Sequence, residues 1–206
     1  MTLVMRHLVA SLAPLAVILM ISAGCDDDGR DTSHPAQASK PAGEIVDCKS
    51  RSQVVPPRRP QVHLPKSVRE TSLIAGPVTF TGARQWSEAR SMFKPSGAEL
   101  RPVKVPIIVE AGNTVVVTAS PPAGRQAVFE VARDQAPYRA RGPAVELIPC
   151  APSATVANRP VGPRTPFLAG FKLDGPMCLD VEVVVAGQGE PIADTISFGR
   201  GTCSSA

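Results

Sequence analysis

The chain has 206 residues, a net charge of +4, 43% hydrophobic and only 4% aromatic residues, and 22 prolines. So small a positive excess, carried mostly by scattered arginines with no glycine-rich phosphate loop or basic helix, argues against a nucleic-acid partner. Proline lacks a backbone donor and β-branched side chains favour extended chain, so the many prolines and short valine runs argue against an architecture of long helices.

At the start, Arg6 and His7 precede an apolar run from Leu8 to Ile21 that only Ser11 and Pro14 interrupt. This is the pattern of an export signal. It is shorter than the roughly 20 apolar residues that a membrane-spanning helix needs. The run ends in Ile21-Ser22-Ala23-Gly24-Cys25, followed by Asp26-Asp27-Asp28. These residues resemble the lipobox of bacterial lipoproteins, with Ser22 where an aliphatic residue is usual. The resemblance implies that residues 1–24 are a removed signal peptide and that the Cys25 thiol carries a diacylglyceryl group. The mature chain is then anchored by palmitate-type acyl chains to the cell membrane, on its extracytoplasmic side.

Residues 25–46 hold Asp, Gly, Ser, Thr, Gln, Lys and Pro with scarcely an aliphatic. Such a stretch buries too little apolar surface to offset the entropy of ordering it, and it reads as a disordered tether. Residues 47–206 are then one domain by length. Within it, Val55 to Pro65, containing Pro56-Pro57-Arg58-Arg59-Pro60, reads as extended polyproline-like chain. Strands are expected over Leu73–Thr81, Gln126–Ala132, Ala144–Cys150, Pro166–Leu173 and Thr195–Gly199. The one helical piece expected is Ser87–Phe93, capped by Ser87. Val103–Val109 and Thr114–Ala119 flank a Gly112-Asn113 turn signature and read as a hairpin. Pro106 marks the first of them as an edge strand or one broken by a bulge. Cys178 to Gly187 alternates most clearly, with Leu179, Val181, Val183 and Val185 on one face and Asp180 and Glu182 on the other. The expected fold is all-β, an antiparallel β-sandwich of immunoglobulin-like arrangement.

With Cys25 assigned to lipid, Cys48, Cys150, Cys178 and Cys203 remain. An even count in an oxidising compartment points to two disulfides. Of the three connectivities, Cys150–Cys178 with Cys48–Cys203 is favoured here, because the second bridge would staple the first and last segments of the domain. A zinc site would want a C-x-x-C pair or a nearby histidine, and neither is present.

The last sixty residues contain Cys150 with Pro152, then Phe167, Gly170 and Phe171, then Cys178-Leu179 with Val181 and Val183, and Phe198-Gly199 before Cys203. In these features the segment resembles small uncharacterised exported β proteins of high-GC Gram-positive bacteria. The resemblance implies a disulfide-linked β fold and an exported life. It implies no activity.

Nucleophilic hydrolysis needs a base, usually histidine. Past the signal only His34 and His63 remain, His34 lies in the tether, and no G-x-S-x-G, S-x-x-K or H-E-x-x-H pattern occurs. Asp174, Asp180, Glu182 and Asp194 could form a carboxylate pair, but Asp180 and Glu182 are accounted for as the wet face of a strand. The acidic cluster from Asp26 to Asp31 lacks the bidentate Glu of a calcium loop. No catalytic residue, metal or cofactor is assigned. His63, Arg84 and Trp86 are the candidate ligand contacts, with Trp86 more simply read as core or as cover for a sheet end. The expected function is that of a lipid-anchored extracytoplasmic module binding an envelope protein, a cell-wall polymer or a solute. The alternatives are an envelope hydrolase with a dispersed site, and a purely structural spacer.

Overall fold

The computed structural model describes residues 43–48, 63–93, 100–132, 139–156 and 159–203. The signal segment, Cys25, His34, the acidic cluster and most of the polyproline-like stretch lie outside the described residues. In chain order the strands are β1 (Glu44–Val46), β2 (Leu73–Ala75), β3 (Val78–Phe80), β4 (Arg101–Lys104) and β5 (Ile107–Glu110). Next come β6 (Val115–Ser120), β7 (Ala127–Ala132), β8 (Arg139–Gly142), β9 (Ala144–Leu147), β10 (Thr155–Val156) and β11 (Arg159–Pro160). The last are β12 (Arg164–Phe167), β13 (Ala169–Leu173), β14 (Met177–Val185) and β15 (Ile192–Phe198).

One layer is the five-stranded sheet β1-β9-β6-β14-β15, antiparallel except for the parallel pair β1–β9. The other comprises two four-stranded sheets, β12-β5-β3-β2 and β4-β13-β7-β8. These two share a single bent ribbon. The register runs without a slip from Lys104↔Gly170 to Ile107↔Phe167, and Val105 N–H bonds Ala169 O across the gap at 3.0 Å. The bend falls at Pro106, which cannot donate to a ladder and whose carbonyl instead accepts from Thr81 N–H at 2.7 Å. Pro106 therefore interrupts its strand, as expected.

Alternation along the strands sends Val109, Phe167, Phe129, Phe171, Leu179, Val181 and Val183 into one buried cluster between the layers. An aromatic chain crosses it. Phe129 stacks on Phe171 at 5.2 Å, Phe171 meets Phe198 edge-on at 5.6 Å, and Phe198 meets Phe93 at 6.2 Å. The all-β sandwich expected from the sequence is thus present, and β14 carries the alternation read from it.

Several local expectations are corrected. The Gly112-Asn113 turn does not close a hairpin: β5 pairs with β3 and β12, whereas β6 pairs with β9 and β14 in the opposite layer. β6 is instead an inner strand of the five-stranded sheet, buried on both faces at Val115, Val116 and Val117 and with its two edges taken by β9 and β14. Leu73–Thr81 is not one strand but a hairpin of β2 and β3, turning at Gly76, whose φ of +58° suits glycine. Ser87–Phe93 is not one helix. Two 3-10 turns, Ala83–Trp86 and Arg90–Phe93, stand there, and Ser87 caps the C-terminal end of the first. An α-helix, α1 (Lys66–Thr71), was not expected. It buries no side chain, so it has no apolar stripe to betray it. Finally, Glu44–Val46, assigned to the tether, form a strand of the sheet.

The disulfides join Cys48 to Cys150 and Cys178 to Cys203, not Cys150 to Cys178 and Cys48 to Cys203. Each bridge follows strand pairing within the five-stranded sheet. Parallel β1 and β9 end side by side, with Val46 opposite Leu147, so the cysteines just beyond both ends meet. Past β15 the chain turns through Gly199 and Gly201, with φ of +63° and +70°, and brings Cys203 back to Cys178.

Candidate functional site

The residues that converge most closely lie on the outer face of β4-β13-β7-β8. Glu130, on β7 between the core residues Phe129 and Val131, must point outward by alternation. Register places Gly170 beside it on β13, Lys104 beyond on β4, and Arg141 on its other side on β8. Lys172 follows two residues along β13 on the same face.

Gly170 decides the shape of this surface. A Cβ there would lie 3.2 Å from the Val103 carbonyl carbon and closer still to its oxygen, so the ribbon approaches too tightly for a side chain. The absent side chain leaves an open trough of about 330 Å³, walled by Lys104 and Pro102 on one side and Glu130 on the other, with Leu168 at the bend.

Glu130 is nearly buried, its side chain 8% exposed. Its Oε1 accepts from Arg141 Nε at 2.9 Å and Lys172 Nζ at 3.1 Å. A carboxylate removed from water needs such partners. The pairing also fixes two long cationic side chains against the sheet. Arg141 and Lys104 are both exposed. The trough is lined by two cations, Lys104 and Lys172, and one carboxylate, with Arg141 beyond Glu130 on β8. The outer face of the five-stranded sheet carries the opposite sign, with Glu146, Asp180 and Glu182.

A second hollow, about 340 Å³, opens beside the Cys178–Cys203 bridge and is lined by Arg84, Glu88, Thr195, Ser197 and Thr202. Ser197 Oγ is buried there without a hydrogen-bond partner among the described residues. Arg84, a sequence-derived candidate, thus reaches a cavity. Trp86 is half-buried, edge-on to Phe93 at 6.4 Å, and packs against the core. His63 is exposed just ahead of α1, and no hydrogen bond, ion pair or ring contact joins it to Arg84, Trp86 or a carboxylate among the described residues.

The four candidate carboxylates do not form a pair of catalytic type among their described contacts. Asp180 accepts from Thr195 Oγ1 at 2.8 Å, and Asp194 accepts from Thr195 N–H at 2.7 Å. Glu182 is exposed on the strand face. Asp174 takes Arg125 Nε at 2.9 Å and Nη2 at 2.7 Å on one oxygen and Gln126 N–H at 2.9 Å on the other. The Arg125 hydrogen bonds, helped by that from Gln126, hold its carboxyl below the ordinary aspartate value against the opposing effect of burial. It closes the turn after β13.

Among the described residues no group of three His, Cys, Asp or Glu side chains could hold a metal ion, and no helix is long and apolar enough to cross a membrane. The chain matches no family model, no curated protein and no solved structure. The trough escaped sequence reading because its charges, at 104, 130 and 172, sit on three strands and meet only through register. One signal was available: Glu130 is the single charge inside the strand-like run Ala127–Ala132.

Proposed function

We propose that this chain is a lipid-anchored module on the extracytoplasmic side of the cell membrane, and that it works by binding at the envelope through the trough on β4-β13-β7-β8. The observation that carries the reading is the buried Glu130 carboxylate, held by Arg141 and Lys172 beside the open trough. A concave site with a few convergent polar groups is the usual form of a binding site. Two disulfides suit an oxidising compartment, and they support the export reading of residues 1–24. Acyl chains on Cys25 would supply about 0.8 kcal/mol per buried methylene, so the module would stay at the bilayer while its outer faces met other envelope components.

The test uses the full chain in the envelope of its own cell, with a photo-crosslinking side chain at Pro102 in the trough wall or at Thr118 on the opposite layer. A discrete adduct from position 102 and none from position 118 is expected. Adducts of equal yield from both positions, or none from either, would contradict the reading.

A further inference from the structure

We propose that the Cys178–Cys203 bridge is a thiol-exchange site, opened by a dithiol reductant that attacks Cys203 from the adjoining hollow, whereas Cys48–Cys150 is a structural bridge. The proposal goes beyond the binding-module reading and draws on a different part of the fold. Exchange needs one sulfur that a thiolate can reach and a second that can leave carrying negative charge. Cys150 offers neither. It is 1% exposed, and its N–H donates at 2.8 Å to Oγ1 of Thr165, which is itself fully buried. Attack on half-buried Cys48 would expel the Cys150 sulfur as a thiolate into that buried site, where the charge has no water.

The second bridge differs at both sulfurs. Cys203 is half-buried and lines the hollow of about 340 Å³ beside β15. Among the described residues, two backbone hydrogen bonds tie the chain from Gly199 to Cys203 to the body, Gly199 N–H to Trp86 O at 2.8 Å and Gly201 N–H to Ser87 O at 2.9 Å, and Thr202 and Cys203 make none. The attacked residue is therefore free to move with its new partner. Cys178, the leaving sulfur, is half-buried on the outer face of β14, between the core residues Met177 and Leu179. Register sets Ser197 of β15 directly opposite it on the same face. Ser197 Oγ is buried with no hydrogen-bond partner among the described residues, an arrangement that costs free energy. A disulfide sulfur is a weak acceptor and a thiolate a strong one, so the hydroxyl gains a partner when Cys178 leaves.

The exchange balances without a further reactant. One thiolate of the dithiol bonds to Cys203 Sγ as the bond from Cys203 to Cys178 breaks, and Cys178 departs as a thiolate. The second thiol of the dithiol, having lost its proton, then attacks the dithiol's other sulfur in the mixed disulfide and releases Cys203. The dithiol ends as a disulfide, and its two electrons and two protons end on Cys178 and Cys203. β14 and β15 remain paired from Met177 to Val183, so the reduced domain keeps its sheet.

The oxidised full chain is treated with dithiothreitol under native conditions, quenched at intervals with N-ethylmaleimide and mapped by mass spectrometry without further reduction. Alkylation of Cys178 and Cys203 at least about tenfold faster than that of Cys48 and Cys150 is expected. Equal rates, earlier opening of Cys48–Cys150, or a Cys178–Cys203 bridge that opens only in urea would overturn the proposal. Glutathione in place of dithiothreitol, with N-ethylmaleimide trapping the thiol that leaves, identifies the attacked sulfur. A glutathione adduct at Cys203 with alkylated Cys178 supports the assigned direction, and the reverse pattern overturns it. Ser197→Ala removes only the unpartnered hydroxyl, so its urea midpoint should be no lower than that of the parent. Its bridge should open about three- to tenfold more slowly, and the pH midpoint for alkylation of the freed Cys178 should rise. An unchanged rate and pH midpoint would remove Ser197 from the exchange.

Discussion

Replacing Gly170 by alanine tests the bent ribbon and the trough floor together. The new methyl group would sit 3.3 Å from Lys104 Cα, 3.2 Å from the Val103 carbonyl carbon, and inside contact distance of that carbonyl's oxygen. The obstacle is backbone in a paired ladder, so it cannot swing aside as a side chain could. Overpacking of this kind costs about 1–3 kcal/mol. Removing glycine's freedom in the unfolded chain returns about 0.4–1 kcal/mol, which is too little to reverse the sign. A net loss of about 1–2 kcal/mol is expected, equivalent to a fall in Tm of roughly 2–8 °C for a domain of this size. Gly189→Ala is the control, because nothing lies within 4 Å of its added methyl group. It should stay within about 0.5 kcal/mol of the parent. Urea unfolding of the three proteins, followed by far-UV circular dichroism, reads both differences. A Gly170→Ala protein as stable as Gly189→Ala would refute the close approach of β13 to β4.

Other outcomes follow from the same structure. Non-reducing peptide mapping should recover Cys48 with Cys150 and Cys178 with Cys203. The first bridge closes a 102-residue separation and the second a 25-residue one. Removing the first as a serine pair should therefore cost about 4.7 kcal/mol and the second about 3.5 kcal/mol on loop-closure grounds. Phe198→Ala, which empties the middle of the aromatic chain, should cost about 3–5 kcal/mol in urea unfolding. The folded pKa of Asp174 lies below its unfolded value. Its stabilising contribution is therefore complete above the unfolded value of about 3.9 and disappears as pH falls through the folded one. The stability gap between the parent and Asp174→Asn should be constant from pH 7 to about pH 5 and close in stronger acid.

Strand identity was legible wherever one face of a strand is buried and the other wet, as in Cys178–Gly187, because period-two alternation is then written into the residues. Partners were less legible. The turn at Gly112-Asn113 looks the same whether the chain folds back on its neighbour or crosses to the other layer, and the partners of β6 are β9 and β14. The cysteine pairing failed for a related reason. Glu44–Val46 reads as tether because only Val46 among them is buried, yet this short parallel strand carries Cys48 to Cys150. Of the three candidate ligand contacts, Arg84 lines the hollow beside the Cys178–Cys203 bridge, Trp86 packs edge-on to Phe93, and His63 is exposed ahead of α1. The charged residues of the trough, Lys104, Glu130 and Lys172, come from three strands, and their meeting is a property of register, which sequence periodicity does not specify.

The most direct measurement is the affinity of the full chain for isolated envelopes, compared between the parent and a Lys104→Gln/Lys172→Gln double variant verified as folded by far-UV circular dichroism. Binding through the trough requires the variant to bind at least about tenfold more weakly, since each tenfold step corresponds to about 1.4 kcal/mol and two charge contacts are removed. Equal affinities would place the binding surface elsewhere on the molecule and contradict the account.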